Sequence, residues 1–154
     1  MKRKLAVLTT SALAISALVL CLGMNGPTDD EKAAVKRAVL DYCEAAYEMK
    51  PELLERSVHP EVNKFGFHRR SPDEEYRMIP MTYPQLVELV KVWNQDGKFG
   101  PDAPKEVIVF DVLDKTASAK LVGAWGIDYM HLAKYDGKWK IVQVLWQSHP
   151  QPSE

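Results

Sequence analysis

The chain has 154 residues, 46% of them hydrophobic and 27% charged, with 20 Lys and Arg against 21 Asp and Glu for a net charge of −1. That length suits one domain. Ten Pro and eight Gly are too few for a fibrous or disordered chain, and the balanced charge excludes the basic excess of a nucleic-acid-binding protein.

Met1-Lys2-Arg3-Lys4 is a basic start, and no charged residue follows from Leu5 to Leu22. Leu13 to Leu22 is the apolar centre, and Cys21-Leu22-Gly23 brings small side chains where a signal peptidase reads. This is the order of a secretory signal, so residues 1–23 are expected to leave and residues 24–154 to form one exported domain, periplasmic or secreted. The alternative, an uncleaved membrane anchor, would be the chain's only membrane contact, and Thr9, Thr10, Ser11 and Ser16 weaken it. Lipid attachment at Cys21 is disfavoured, because Leu20 stands where that motif has Gly, Ala or Ser. Removal takes three cations and no anion, leaving 131 residues, a charge of −4 and one cysteine, Cys43. No intramolecular disulfide is then possible, and Cys43 reads as a buried, inert thiol.

Thr28-Asp29-Asp30-Glu31 has the spacing of a capping box and opens a first helix. Val35, Val39, Tyr42, Ala46 and Met49 recur at three and four residues and give it one apolar face. Pro51 suits the first turn of a short helix over Glu52 to Val58, stopped by His59-Pro60. Phe65 to Arg69 and Tyr76 to Ile79 are short strand candidates around the polar Ser71-Pro72-Asp73-Glu74. Thr82-Tyr83-Pro84-Gln85 is a second capping box, opening a helix with Leu86, Leu89, Val90 and Trp93 on one stripe. From Glu106 the period changes to two: Val107 to Leu113, then one long strand from Ser118 to Tyr135, then Trp139 to Ser148 after the strong Asp136-Gly137 hairpin turn. Helices segregated from a strand meander predict an α+β domain of order ααββαβββ.

A two-residue turn at Asp136-Gly137 pairs Tyr135 with Lys138 and sets the register onward. One face then carries Asp128, Met130 and Leu132 with Trp139, Ile141, Gln143, Leu145, Gln147 and His149, and the other carries Trp125, Ile127, Tyr129 and His131 with Lys138, Lys140, Val142, Val144 and Trp146. Lysines 138 and 140 belong in water, so the first face is assigned to the helices. Strict alternation would bury Lys120, which predicts a bulge near Gly123 and Gly126.

This register puts Asp128, Gln143, Gln147 and His149 together on an otherwise apolar, helix-covered face. Such groups either satisfy one another or line a pocket with Met130, Leu145, Trp93 and, at its mouth, His59. A desolvated Asp128 would gain proton affinity and suit general-base work. The opposite face, with Trp125, Tyr129, Val144 and Trp146, predicts a homodimer. The four histidines, His59, His68, His131 and His149, show no metal-ligand spacing, and His68-Arg69-Arg70 reads as a solvated strand end. No phosphate loop or nucleophile elbow occurs, and no metal or cofactor is implied.

Leu40-Asp41-Tyr42, Ala46-Tyr47-Glu48, Leu53-Leu54 and His59-Pro60, with Asp128-Tyr129-Met130-His131-Leu132 and Tyr135 to Val142, resemble the nuclear-transport-factor-2-like superfamily. Within it the chain is most similar to the SnoaL-like, lumazine-binding branch, over about residues 28 to 149. The resemblance implies a cone-shaped, curved antiparallel sheet enclosing a pocket with three helices, often dimeric through the sheet. Three functions follow as expectations. The first is an exported domain binding a small apolar or aromatic molecule. The second is a proton-transferring isomerase, cyclase or dehydratase with Asp128 as base and His149 or His59 assisting. The third is a dimeric scaffold with a vestigial pocket.

Overall fold

The computed structural model describes residues 28–150; the expected signal and Cys21 lie outside them. Thr28 caps helix α1 (Asp29–Glu48), its hydroxyl accepting from the Glu31 backbone N–H. Only half of the capping box forms, because the Glu31 carboxylate instead accepts from Lys134 and from Trp139 Nε1 at the far end of the chain. The apolar stripe of α1 is buried as expected through Val35, Val39, Tyr42 and Ala46. Met49 departs from it: it is the half-exposed cap, with left-handed backbone (φ 52°). Helix α2 (Pro51–Ser57) is tied to α1 by Arg56, whose Nε and a terminal nitrogen both donate to the buried Asp41, at 2.6 and 2.7 Å.

His59-Pro60 does not end the regular structure there. Strand β1 runs Val58–His68, much longer than the expected Phe65 to Arg69. Proline is tolerated because the pairing of β1 with its neighbour shifts register between Val58 and Asn63, so no ladder donor is lost at Pro60. Strand β2 (Arg77–Met81) pairs antiparallel with β1. Helix α3 (Tyr83–Val90) opens with the full Thr82–Gln85 capping box.

Strand β3 is Lys105–Val112. The expected long strand from Ser118 to Tyr135 is two strands, β4 (Thr116–Gly123) and β5 (Gly126–Tyr135), with Gly123 paired to Gly126 across the Ala124-Trp125 turn. The glycines thus mark a reversal where a bulge was expected. That reversal leaves Lys120 on the outer face, beside Tyr129. Asp136 and Gly137 both take positive φ (47° and 77°), the paired condition of a tight hairpin turn, and β6 (Lys138–Gln147) returns.

The six strands form one mixed, curved sheet in the order β2-β1-β6-β5-β4-β3. All neighbours are antiparallel except β1 and β6, which are parallel. The α+β cone is therefore as expected, but its sheet is mixed where an antiparallel one was expected, through the internal β1–β6 pair. The helices lie on the concave face over Val58, Val62, Leu121, Met130, Leu132, Ile141 and Val144.

Candidate functional site

A bulge at Val142 decides which side chains face the helices. Tyr135↔Lys138 and Leu132↔Ile141 keep the expected register, but the next pair is His131↔Gln143. The extra residue inverts the second half of β6. Val144 and Trp146 turn inward, Val144 to complete burial, while Gln143, Leu145 and Gln147 turn out to the convex face. Three expected pocket residues are therefore misplaced. Gln143 Oε1 meets His131 Nδ1 at 3.0 Å outside, Leu145 pairs with Tyr129, and Gln147 with Ile127. Trp125, Val144 and Trp146 leave the expected dimer face, of which only Tyr129 remains.

The inward turn of Trp146 builds a cavity of about 320 Å³ between β1, β2, α1 and α3, at the lower end of the range for small-molecule sites. Tyr42 and Ala46 of α1, and Leu86 and Val90 of α3, line its inner part; Ile79, Met81 and Leu89 line the outer part. Trp93, Trp125 and Trp146 give it three aromatic walls, and His68 stands at the end of β1, 6.1 Å ring to ring from Trp146. Trp93 is where it was expected. It is held there because Asn94 donates to the Tyr47 and Phe99 carbonyls (2.7 and 2.8 Å) and accepts from Phe99 N–H (3.0 Å). The Trp93 ring meets Phe99 at 4.8 Å and Trp125 at 5.4 Å.

The charged wall is Lys64, which is 6% exposed. Its ammonium donates to Tyr42 Oη at 2.8 Å, stands 3.7 Å from Asp128 Oδ1, and lies 5.5 and 5.3 Å from the centres of the Tyr42 and Trp146 rings. Asp128 is fully buried and faces the helices as expected, but it does not line the cavity. It sits behind Lys64 and Trp125, whose indole N–H donates to Oδ2 at 2.7 Å, and its Oδ1 accepts no hydrogen bond. Burial pushes the Asp128 carboxyl up, against the pull of Lys64 and the Trp125 N–H. Burial also pulls the Lys64 ammonium down, against the pull of Asp128, and it raises the Tyr42 hydroxyl well above the ordinary tyrosine value.

The remaining expected residues are elsewhere. Met130 is core, one inward step from Asp128 along β5. His59 stacks on Tyr135 at 4.8 Å, near the opposite end of β1 from His68. His149 is exposed past β6, its Nε2 2.9 Å from the Gly123 carbonyl. Lys64, Tyr42 and His68 were not singled out as site residues from the sequence. The signal for Lys64 was alternation along β1, where Val62, Lys64 and Gly66 are all buried; it was hidden once His59-Pro60 was read as a stop.

The family model described as "Putative lumazine-binding" matches residues 30–147. No curated protein matches the chain. Among solved structures, the chain is similar to a nuclear-transport-factor-2-like protein of unknown function from Shewanella baltica (19% identity, 82% of this chain and 100% of that one, TM-score 0.59). It is also similar to a protein of unknown function with a cystatin-like fold from Nostoc punctiforme (11%, 82% and 96%, TM-score 0.56). A third similar structure is described as a putative scytalone dehydratase from Novosphingobium aromaticivorans (15%, 79% and 85%, TM-score 0.52). At these identities the likeness is one of fold.

Proposed function

This chain belongs to the "Putative lumazine-binding" family of the nuclear-transport-factor-2-like superfamily, and from that premise we propose that it binds a small, flat, mostly apolar molecule in the cavity beneath α3. The observation that carries this reading is one buried ammonium, Lys64, in a cavity otherwise walled by apolar and aromatic side chains. Such a site takes a ring system on Trp93, Trp125 and Trp146, and orients it through one oxygen acceptor at Lys64. Binding is favoured over proton transfer by Asp128, because that carboxyl has Lys64 and Trp125 between it and the cavity. The open cavity also speaks against a purely vestigial pocket.

Titration with 1-naphthalenemethanol, read by tryptophan fluorescence, tests the proposal. Saturable quenching is expected in the wild type and not in Leu86→Trp, which fills the inner wall. Absence of saturable quenching, together with no co-purified molecule in native mass spectrometry of protein from its own host, would overturn it.

Export and self-association belong to the same proposal. The basic and apolar order of residues 1–23 supports export. Self-association rests on an uncovered row across the convex face, Ile108, Lys120, Tyr129, Leu145 and Phe65, matched strand to strand. Tyr129 is 49% and Leu145 38% exposed, and apolar surface of this kind is commonly covered by a second copy.

A further inference from the structure

We propose that Lys64 is a nucleophilic amine that captures an aldehyde or ketone in the cavity as a covalent imine. This rests on the binding reading and adds a reaction to it. Three observations converge on that amine. Among the described residues it is the only lysine lining the cavity, in an apolar enclosure 5.5 Å from the Tyr42 ring centre and 5.3 Å from that of Trp146. The Tyr42 hydroxyl is 2.8 Å from the amine, on a residue that also lines the cavity, which puts a proton donor next to the amine. Asp128, 3.7 Å behind, has a carboxylate oxygen with no hydrogen-bond partner, free to take a proton. Lysines desolvated in apolar pockets are the ones that act as amines in this chemistry. Burial shifts Lys64 toward the neutral amine and Asp128 toward the acid.

The step balances within these groups. Asp128 takes one proton from the ammonium. The freed nitrogen lone pair attacks the carbonyl carbon, a C–N bond forms, and the carbonyl π pair moves to oxygen. Tyr42 gives its proton to that oxygen and is refilled by the now cationic nitrogen. The proton held on Asp128 returns along the same path to the hydroxyl, the C–O bond breaks, and water leaves as the nitrogen lone pair forms C=N. The products are an iminium on Lys64, one water and the Asp128 carboxylate as its counter-ion. No oxidant or reductant is needed.

Reductive trapping tests this. The protein is incubated near neutral pH with 1-naphthaldehyde, or the smaller benzaldehyde, and sodium cyanoborohydride, then analysed by intact mass and peptide mapping. The expected result is one added arylmethyl group, located on Lys64, and at least about tenfold less on Lys140. Lys140 is the internal comparison: burial and Lys138 lower its proton affinity too, but its ammonium is on the Glu55 carbonyl outside the cavity. Lys64→Met and Tyr42→Phe separate the roles, the first abolishing the adduct and the second slowing it. If the methionine variant does not fold, the wild-type peptide map alone decides. Labelling spread over surface lysines, with Lys64 unmodified, overturns the proposal. If 1-naphthalenemethanol nevertheless binds, the cavity reading survives; if it does not, both fail.

Discussion

Lys64 and Asp128 meet at 3.7 Å although their strands are not neighbours. Strand β6 lies between β1 and β5, with Lys64 beside Val144 and Asp128 one row along, beside Trp146. The lysine therefore leans diagonally over β6, and the pair clamps three strands from the concave side. Both side chains are at most 5% exposed, so neither charge is relieved by water.

Breaking that pair from one side strands the other charge. Lys64→Met or Asp128→Leu should each cost about 3–5 kcal/mol in urea denaturation. The double variant should cost clearly less than the sum, since no charge is left unpaired. Asp128→Asn, which keeps the shape and an acceptor for the Trp125 N–H, should be the mildest change. Additive losses would show that the two groups do not interact.

The same pair sets a pH signature. Lys64 has a folded-state proton affinity below its unfolded one, so between its lowered value and about 10.4 the unfolded chain binds more protons. Stability contributed by Lys64 must then rise with pH in that window. Asp128, raised by burial, has the opposite sign in acid, where stability falls as pH climbs above the ordinary carboxyl range. The urea midpoint of wild type minus that of Lys64→Met should increase as pH climbs toward about 10.4. A flat difference would mean the amine titrates as it does in water.

Gly66 leaves no room for a methyl group. A Cβ there would come 2.3 Å from both the Trp146 carbonyl oxygen and its indole ring. A side-chain rotation cannot clear a backbone oxygen, so Gly66→Ala should cost about 1–3 kcal/mol or more. It should also disturb the near-ultraviolet signal of the tryptophans and abolish saturable binding of 1-naphthalenemethanol. Wild-type stability and binding in the alanine variant would contradict the packing of β1 on β6.

Tyr129→Arg with Leu145→Arg places charge in the uncovered row of the convex face. Sedimentation should shift from dimer to monomer, because unpaired charge in an apolar interface is costly. The cavity lies on the other face, so ligand-induced quenching should be unchanged. A wild-type monomer at high concentration would remove the basis for self-association.

Export predicts a chain beginning near Met24 in the envelope fraction, read by intact mass. Full-length protein confined to the cytoplasm would refute it.

Much of this fold was legible because its signals are local. Thr28 and Thr82 declare helix starts, Asp136-Gly137 declares a hairpin, and the apolar stripe of α1 declares its buried face. The α+β cone follows from these and from the resemblance in the hairpin residues. The site was less legible, because it depends on parity. One extra residue, Val142, exchanges Gln143, Leu145 and Gln147 for Val144 and Trp146, and nothing local in Ile141-Val142-Gln143 announces a bulge. Asp128 was placed on the correct face because the extra residue is in β6, so alternation along β5 back from the turn is unbroken, and β5 runs without irregularity against β4. Its partner Lys64 is 64 residues earlier in the chain, joined to it by a β1–β6 pairing with no turn to reveal it.

That parallel pairing also governs when the molecule can become complete. Strand β6 sits between β1 and β5, yet of the six described strands it is synthesised last. Until residues 138–147 are available, β1 and β2 have no sheet to join, and Lys64 has no Asp128 beside it. Contacts of such long sequence separation slow folding, because the loop must close before the pairing rewards it. The cavity is thus the final product of folding, and truncation within β6 would erase it while leaving the β3–β4–β5 meander its local pairings.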